Sequence, residues 1–379
     1  MEKHLHIISL TVPYPVDYGG VYDLFYKLPA IQALGIQIHL HCFDYGRGHQ
    51  DELNKYCASV HYYQRNTGYK PLFNKIPYIA GSRKNETLFA NLLQDDHPIL
   101  MEGIHCTALF TDNRFNNRQK FVRLHNVEYE YYKNLFASAK NIFKKIYYLR
   151  ESVLLKQYEA LIAKNATGLF AVTPQDCDTY LNQLSAKTVE YLPLFLPSSW
   201  HDGGTPGMGS YCLYHGDLSV EMNEKSAAWL LKKIFSSVKI PLVIAGKQPS
   251  DWLQKLSDKN SKTCVVANPS EETMQDMVTK AHINILPSFS NTGIKIKLLN
   301  ALFNGRHCVV TGATVDGSGL EELCHVTDTA EGMKQRIEAL YHQPFTEREI
   351  HDRRVILSKI FCNQTNAKRL VERIWGSGI

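Results

Sequence analysis

Short apolar runs recur along the second half of the chain: YCLYHG (211–216), PLVIAG (241–246), CVVAN (264–268), INILPS (283–288) and HCVVT (307–311). Between them lie longer stretches with apolar residues at helical intervals, such as Ala227, Leu230, Leu231, Ile234 and Phe235. Strands this uniformly apolar have no face suited to water. They must be covered on both sides, which means βαβ units and a parallel sheet between two layers of helices. The first half repeats the scheme less regularly, with HLHIISL (4–10), IQIHLHCF (36–43), PILMEG (98–103), KFVRLHN (120–126) and TGLFAVT (167–173). A helical region over 127–165, rich in Tyr, Leu and Lys and free of Pro and Gly, lies between the last two.

The chain has 379 residues, more than one hydrophobic core usually serves. Pro, Gly and Ser concentrate in LPLFLPSSWHDGGTPGMGS (192–210), a linker composition. The expected architecture is therefore α/β, with two doubly wound Rossmann-like domains facing each other across a cleft, over 1–197 and 198–355. Ligands in such sheets bind beyond the carboxyl ends of the strands, so chemistry is sought there.

Composition narrows the function. A net charge of +5 suits an anionic substrate or a membrane surface but is too weak to argue for nucleic acid. The first residues, MEKHLHIISLTVPYPVDYGG, lack a basic leader and a small-residue cleavage site, so they read as a strand rather than a signal peptide. No apolar run is long enough to span a membrane. The nine cysteines are scattered without a CxxC pair, several of them inside strand-like runs. Reduced thiols and a cytoplasmic location are expected.

The strand ends carry the candidate residues. After INILPS, Ser290, Asn291 and Thr292 are good helix caps, Gly293 allows close backbone approach, and Lys295 and Lys297 add two charges at a helix start. Free N–H groups and the helix dipole favour an anion there. Asn300 shares a helix face with Lys297. Gly216, at the turn after YHG, and Lys247, after IAG, occupy equivalent strand ends. In the first half, Gly19 and Gly20 stand between strand one and a helix, but not as GxGxxG, so a nicotinamide site is not expected. Glu102 and His105 follow one strand; Arg123, His125, Asn126 and Glu128 follow another. Together they read as one wall of a polar substrate pocket. The segment KNIFKKIYYLRESVLLKQYE (140–159) reads as a packed helix with a basic outer face, or alternatively as one lying on an anionic membrane.

Three segments resemble the family 4-like glycosyltransferases of GT-B fold, particularly bacterial ones of surface polysaccharide assembly. They are the Gly19–Gly20 pair, RLHNVEYEYYKNL with the following YLRESVLLKQYE, and GIKIKLLNALFNGRHCVV. YHGDLSVEMNEKSAAWLL is similar to the opening of the donor domain in that branch. The resemblance implies transfer of a sugar from a UDP- or GDP-linked donor to a glycan or lipid-linked acceptor, with retention and without a metal or further cofactor. The first domain would bind the acceptor through Arg123, Asn126, Glu128 and His105. The second would bind the donor, and a C-terminal helix over 356–379 would pack back on the first. Gly19, Gly20, Gly216, Lys247, Ser290, Gly293, Lys295, Lys297 and Asn300 would be the donor-binding residues, and His125 and Glu102 the catalytic ones.

The sequence departs from the family at the E-x7-E pair, where Thr292 and Asn300 stand, and after the donor-domain glycine, where Asp217 and Asn223 replace basic residues. Positive charge must then come from Lys295, Lys297 and Lys247. The alternatives are a nucleotide-sugar epimerase and a non-catalytic GT-B scaffold protein.

Overall fold

The computed structural model describes residues 2–17, 19–68, 76–139, 141–201, 204–289 and 293–376. The chain forms two compact units, Met1–Leu196 with Phe361–Ile379, and Pro197–Ile360. It returns to the first unit at Phe361 rather than at 356.

The first unit is built on seven strands: β1 (Lys3–Ser9), β2 (Ile36–Asp44), β3 (Ser59–Gln64), β4 (Ile99–Glu102), β5 (Lys120–Leu124), β6 (Gly168–Ala171) and β7 (Val189–Tyr191). Their spatial order is β3-β2-β1-β4-β5-β6-β7, and every pairing is parallel. The strand direction of winding reverses between β1 and β4, the switch point at which such sheets open a crevice. One face of the sheet packs through Ile8, Met101, Val122, Leu155 and Ile162. The other packs through Leu5, Ile7, Leu24, Leu28 and Ile38, and here the helix Asn363–Trp375 contributes Ala367, Leu370, Val371 and Ile374.

The second unit has six parallel strands: β8 (Cys212–Asp217), β9 (Leu242–Lys247), β10 (Thr263–Ala267), β11 (Ile283–Leu286), β12 (His307–Val310) and β13 (His325–Val326). Their order, β10-β9-β8-β11-β12-β13, again switches between the first and fourth strand. The core holds Tyr214, Leu230, Ile234, Ile244, Ile285 and Val309.

Two sequence expectations change in detail. The 127–165 region is two helices, Glu128–Ser138 and Ile142–Asn165. The helix after β11 runs Ile296–Asn304, starting three residues beyond Gly293, which itself has φ +64°. All nine cysteines are free, and among the described residues no helix is long and apolar enough to cross a membrane.

Gly216 and Gly246 lie opposite one another on β8 and β9, and a Cβ on Gly246 would stand 1.9 Å from the Gly216 carbonyl oxygen. Gly246→Ala should therefore part the two strand ends and lower the unfolding free energy by about 1–3 kcal/mol, an overpacking cost. An unchanged urea midpoint would show that this contact gives way freely.

Candidate active site

In the first unit the strand ends at the switch point converge on a buried ionic chain. Helix Gly19–Gln32 turns Asp23 and Lys27, one turn apart, toward the sheet. The Lys27 ammonium donates to Asp23 Oδ2 at 3.1 Å and to Glu102 Oε1, at the end of β4, at 2.5 Å. Arg123, on β5, closes a two-point bond on Asp23 through Nε (2.9 Å) and Nη2 (3.0 Å). It also donates to the carbonyls of Leu192 and Pro193, while the Phe195 N–H reaches Asp23 Oδ1 at 2.9 Å. His125 Nε2 meets Glu102 Oε2 at 3.0 Å.

Burial alone would raise both carboxyls. Arg123 and Lys27 overcome this and hold Asp23 well below the usual carboxylate range. Lys27 and the His125 bond likewise hold Glu102 below its ordinary value. Each carboxylate thus has a cation in contact, the condition under which buried charges survive.

The roles expected for two residues shift accordingly. Arg123 is 1% exposed with its guanidinium fully engaged, so it braces the fold and does not face an acceptor. Glu102 is equally buried and stands behind His125. Its contact with His125 Nε2 fixes the orientation of the imidazole. Asp23, Glu102 and His125 each offer a ligand atom within 4.8 Å of the others, but Lys27 and Arg123 already occupy the Asp23 oxygens and Lys27 bonds Glu102 Oε1, so a dication would compete with two cations already in place.

Beyond β4 and β5 lies a second polar group. Gly103, at φ +77°, has His105 Nδ1 and His125 Cδ2 at 3.1 and 3.5 Å from where its Cβ would be. His105 Nδ1 is buried without a hydrogen-bond partner, 4.0 Å from Glu128 Oε1. Burial and the charge of Glu159 push Glu128 up to about 8, against a bond from Asn126 and the pull of Arg83. Glu159 caps the helix Glu128–Ser138, accepting the N–H groups of Glu128 and Tyr129 at 2.9 Å each, with the Tyr180 hydroxyl at 2.6 Å. Glu128 is therefore a neutral carboxyl near pH 7, able both to donate and to accept. Gly19 and Gly20 open their helix as exposed residues.

In the second unit the switch point holds Lys297. Its ammonium lies 4.9 Å from the centre of the Tyr214 ring, 3.4 Å from the Tyr214 hydroxyl and 3.1 Å from Asn223 Oδ1. All of these partners are neutral. Among the described residues no carboxylate pairs with it, and burial, with the nearby charge of Lys295, pushes it down to about 8. Lys295, just before the helix, donates to the Gly293 carbonyl at 2.9 Å. His215, which the sequence reading passed over, is buried near the end of β8, with Nε2 unpartnered. Burial and Lys297 push it down to about 3. Lys247 is exposed at the end of β9, in register with Asp217. Asn300 turns out to be buried, its Oδ1 accepting from Asn304 Nδ2 at 2.8 Å, so half of its amide is used within its own helix. Ser290 and Thr292 lie outside the described residues. An open hollow of about 480 Å³ at the ends of β11 to β13 is lined by Phe289, Gly312, Asp316, Glu321 and Val326. Having acids and no basic residue, it does not suit a diphosphate.

Residues 209–343 match the family described as Glycosyl transferases group 1. A protein described as "Uncharacterized 44.6 kDa protein in cps region" of Klebsiella pneumoniae is 25% identical over 331 residues, covering 83% of this chain and 84% of that one. Among solved structures, sucrose-phosphate synthase from Thermosynechococcus elongatus superposes with a TM-score of 0.73 at 13% identity, over 99% of this chain and 100% of the other. A glycosyltransferase from Rickettsia africae ESF-5 does so at 0.68 and 14%, over the full length of both. The fold is that of these structures, GT-B. The similarity to the Glycosyl transferases group 1 family lies within the second unit.

Glu128 supplies a test by pH. Its folded pKa, raised from 4.5 to about 8, means its contribution to stability is present below pH 4.5 and is lost as pH rises through 8. Glu128→Gln should accordingly raise the urea midpoint relative to the parent at pH 9 and much less at pH 5. An offset independent of pH would place the Glu128 carboxyl in a wetter environment than this.

Proposed function

We propose that the protein transfers a sugar from a nucleotide-diphosphate sugar to a glycan or lipid-linked acceptor of surface polysaccharide assembly, with retention and without a metal at the reacting centre. The observation that carries this reading is the Lys297 ammonium, sunk at the first turn of a helix and, among the described residues, given neutral partners only. A desolvated cation without a counter-charge is costly, and a diphosphate is the counter-charge that suits a helix start. Lys295 adds to the same field. As the bond between the anomeric carbon and the diphosphate oxygen breaks, negative charge grows on that oxygen, and preorganised cations stabilise it. The acceptor oxygen bonds to the sugar on the face the diphosphate leaves, and its proton passes to the departing phosphate oxygen.

The first unit is assigned the acceptor. His125, its ring fixed by Glu102, orients hydroxyls at the reacting centre, and Glu128 with His105 offers a neutral donor–acceptor pair for a sugar hydroxyl. The relative from a cps region supports the polysaccharide setting.

The helix Ile142–Asn165 supports a membrane-linked acceptor. Ile142, Ile146, Leu149 and Val153 share one helix face, and all are at least half exposed, as is Phe143. Lys145, Arg150 and Lys156 flank the stripe. The outer face is therefore apolar with basic margins, the pattern of a helix lying in an anionic lipid interface.

Lys297→Ala should lower turnover about 100-fold, the cost of losing one donor to a developing anion. It should also abolish the thermal shift given by UDP or GDP while leaving the ligand-free melting temperature unchanged or higher. Near-normal turnover would make Lys297 structural. A nucleotide shift without transfer would favour the scaffold alternative, and an altered sugar formed without acceptor would favour the epimerase. For the helix, phosphatidylglycerol vesicles should sediment the protein and neutral vesicles should not, and Ile146→Glu with Leu149→Glu should release it. Equal recovery with both vesicle types would count against a lipid surface.

A further inference from the structure

At the outer edge of the second sheet, His307 opens β12, His325 opens β13, and Glu349 lies on the helix Glu347–Ile360. His307 is 2% exposed. Its Nε2 faces the Gln343 carbonyl at 3.0 Å and so carries the proton. That leaves Nδ1 as a lone pair, buried and without a hydrogen-bond partner. It points at Glu349 Oε1, 3.5 Å away. The other oxygen, Oε2, is fixed by the Thr346 N–H (2.8 Å) and hydroxyl (2.7 Å). The rings of His307 and His325 lie 5.8 Å apart, and one ligand atom from each of the three residues falls within 4.8 Å of the others. Two acceptors held face to face in a dry site repel each other unless a cation stands between them.

We propose that His307, His325 and Glu349 bind a divalent transition-metal ion of the zinc class, with water completing the shell. Two imidazoles and one carboxylate are a zinc donor set, and tetrahedral bonds of roughly 2.0–2.2 Å place neighbouring ligand atoms about 3.4 Å apart, against the 3.5 Å found for Nδ1 and Oε1. The outer shell is already in place, in Gln343 behind His307 and Thr346 behind Glu349, which sets the His307 tautomer and holds the carboxylate still. The Arg353 guanidinium lies nearby, but it donates to the Gly305 carbonyl at 3.0 Å and stacks on Phe345 at 4.6 Å. It lowers the affinity without occupying the site.

The ion would clamp β12, the two-residue edge strand β13 and the helix Glu347–Ile360 together. It stands at the opposite end of β12 from the donor residues, has no part in the transfer, and does not depend on that reading. Other histidines in the first unit are less suited. His4 bonds to His39 at 3.0 Å and His6 to His41 at 2.9 Å, ring to ring, and His6 Nε2 is taken by Asp95.

The test uses the full chain stripped of metal, titrated with Zn2+ by calorimetry and with Co2+ by its visible absorption. One equivalent of Zn2+ should bind with a Kd of about micromolar, raise the melting temperature, and give Co2+ a tetrahedral spectrum. His325→Ala and Glu349→Gln, both at partly exposed positions, should each weaken binding at least about tenfold, roughly one ligand's worth. Glu349→Gln keeps an acceptor for Thr346, so it tests the site even if His325→Ala fails to fold. His39→Ala should leave binding unchanged. No saturable binding, binding untouched by both site variants, or binding lost with His39→Ala would each overturn the proposal.

Discussion

The contact on which the first unit depends is the Lys27 ammonium between Asp23 and Glu102. Helix Gly19–Gln32 meets β4 there, and through Asp23 and Arg123 the chain of charges continues to β5 and to the carbonyls of Leu192 and Pro193. Two cations offset two carboxylates where all four are buried. Such a network is rigid because each member is held by the others, and removing one leaves a buried charge uncompensated. His125 inherits that rigidity through Glu102. The group nearest the surface is thus positioned by charges buried behind it.

The second unit handles charge in the opposite way. Lys297 is nearly as desolvated, yet among the described residues it has a ring, a hydroxyl and an amide for company and no carboxylate. Among the described residues, one unit neutralises the charges at its switch point internally, while the other leaves a cation uncompensated at the switch point of its sheet. Only the second arrangement gains by binding an anion. Gly216 and Gly246, stacked on adjacent strands, keep side chains out of the neighbouring strand ends.

Much of this was legible in residue order. The strand runs, the linker composition, the strand-end glycines and the lysines after β11 could all be picked out, because apolar strands with helical intervals admit one kind of sheet and such sheets carry ligands at one end. Asp23 and Lys27 escaped notice for a physical reason. An Asp and a Lys one turn apart ordinarily form a solvated surface pair, and only the sheet beneath them makes the pair internal. Arg123 misled in the reverse direction, since a guanidinium at a strand end suits a ligand as readily as it suits a buried Asp. The outer face of Ile142–Asn165 read as basic because Lys and Arg are plentiful there, whereas its exposed stripe is apolar.

Residue order by itself determined the βαβ alternation, the division into two sheets and the strand ends at which chemistry collects, because those follow from local periodicity and turn composition. Tertiary structure decided which charges are neutralised and which are left open: the bracing of Arg123 and Glu102, the isolation of Lys297, the neutral carboxyl of Glu128 and the meeting of His307, His325 and Glu349. Each of those depends on burial and on partners distant along the chain, and desolvation has no signature in the spacing of residues.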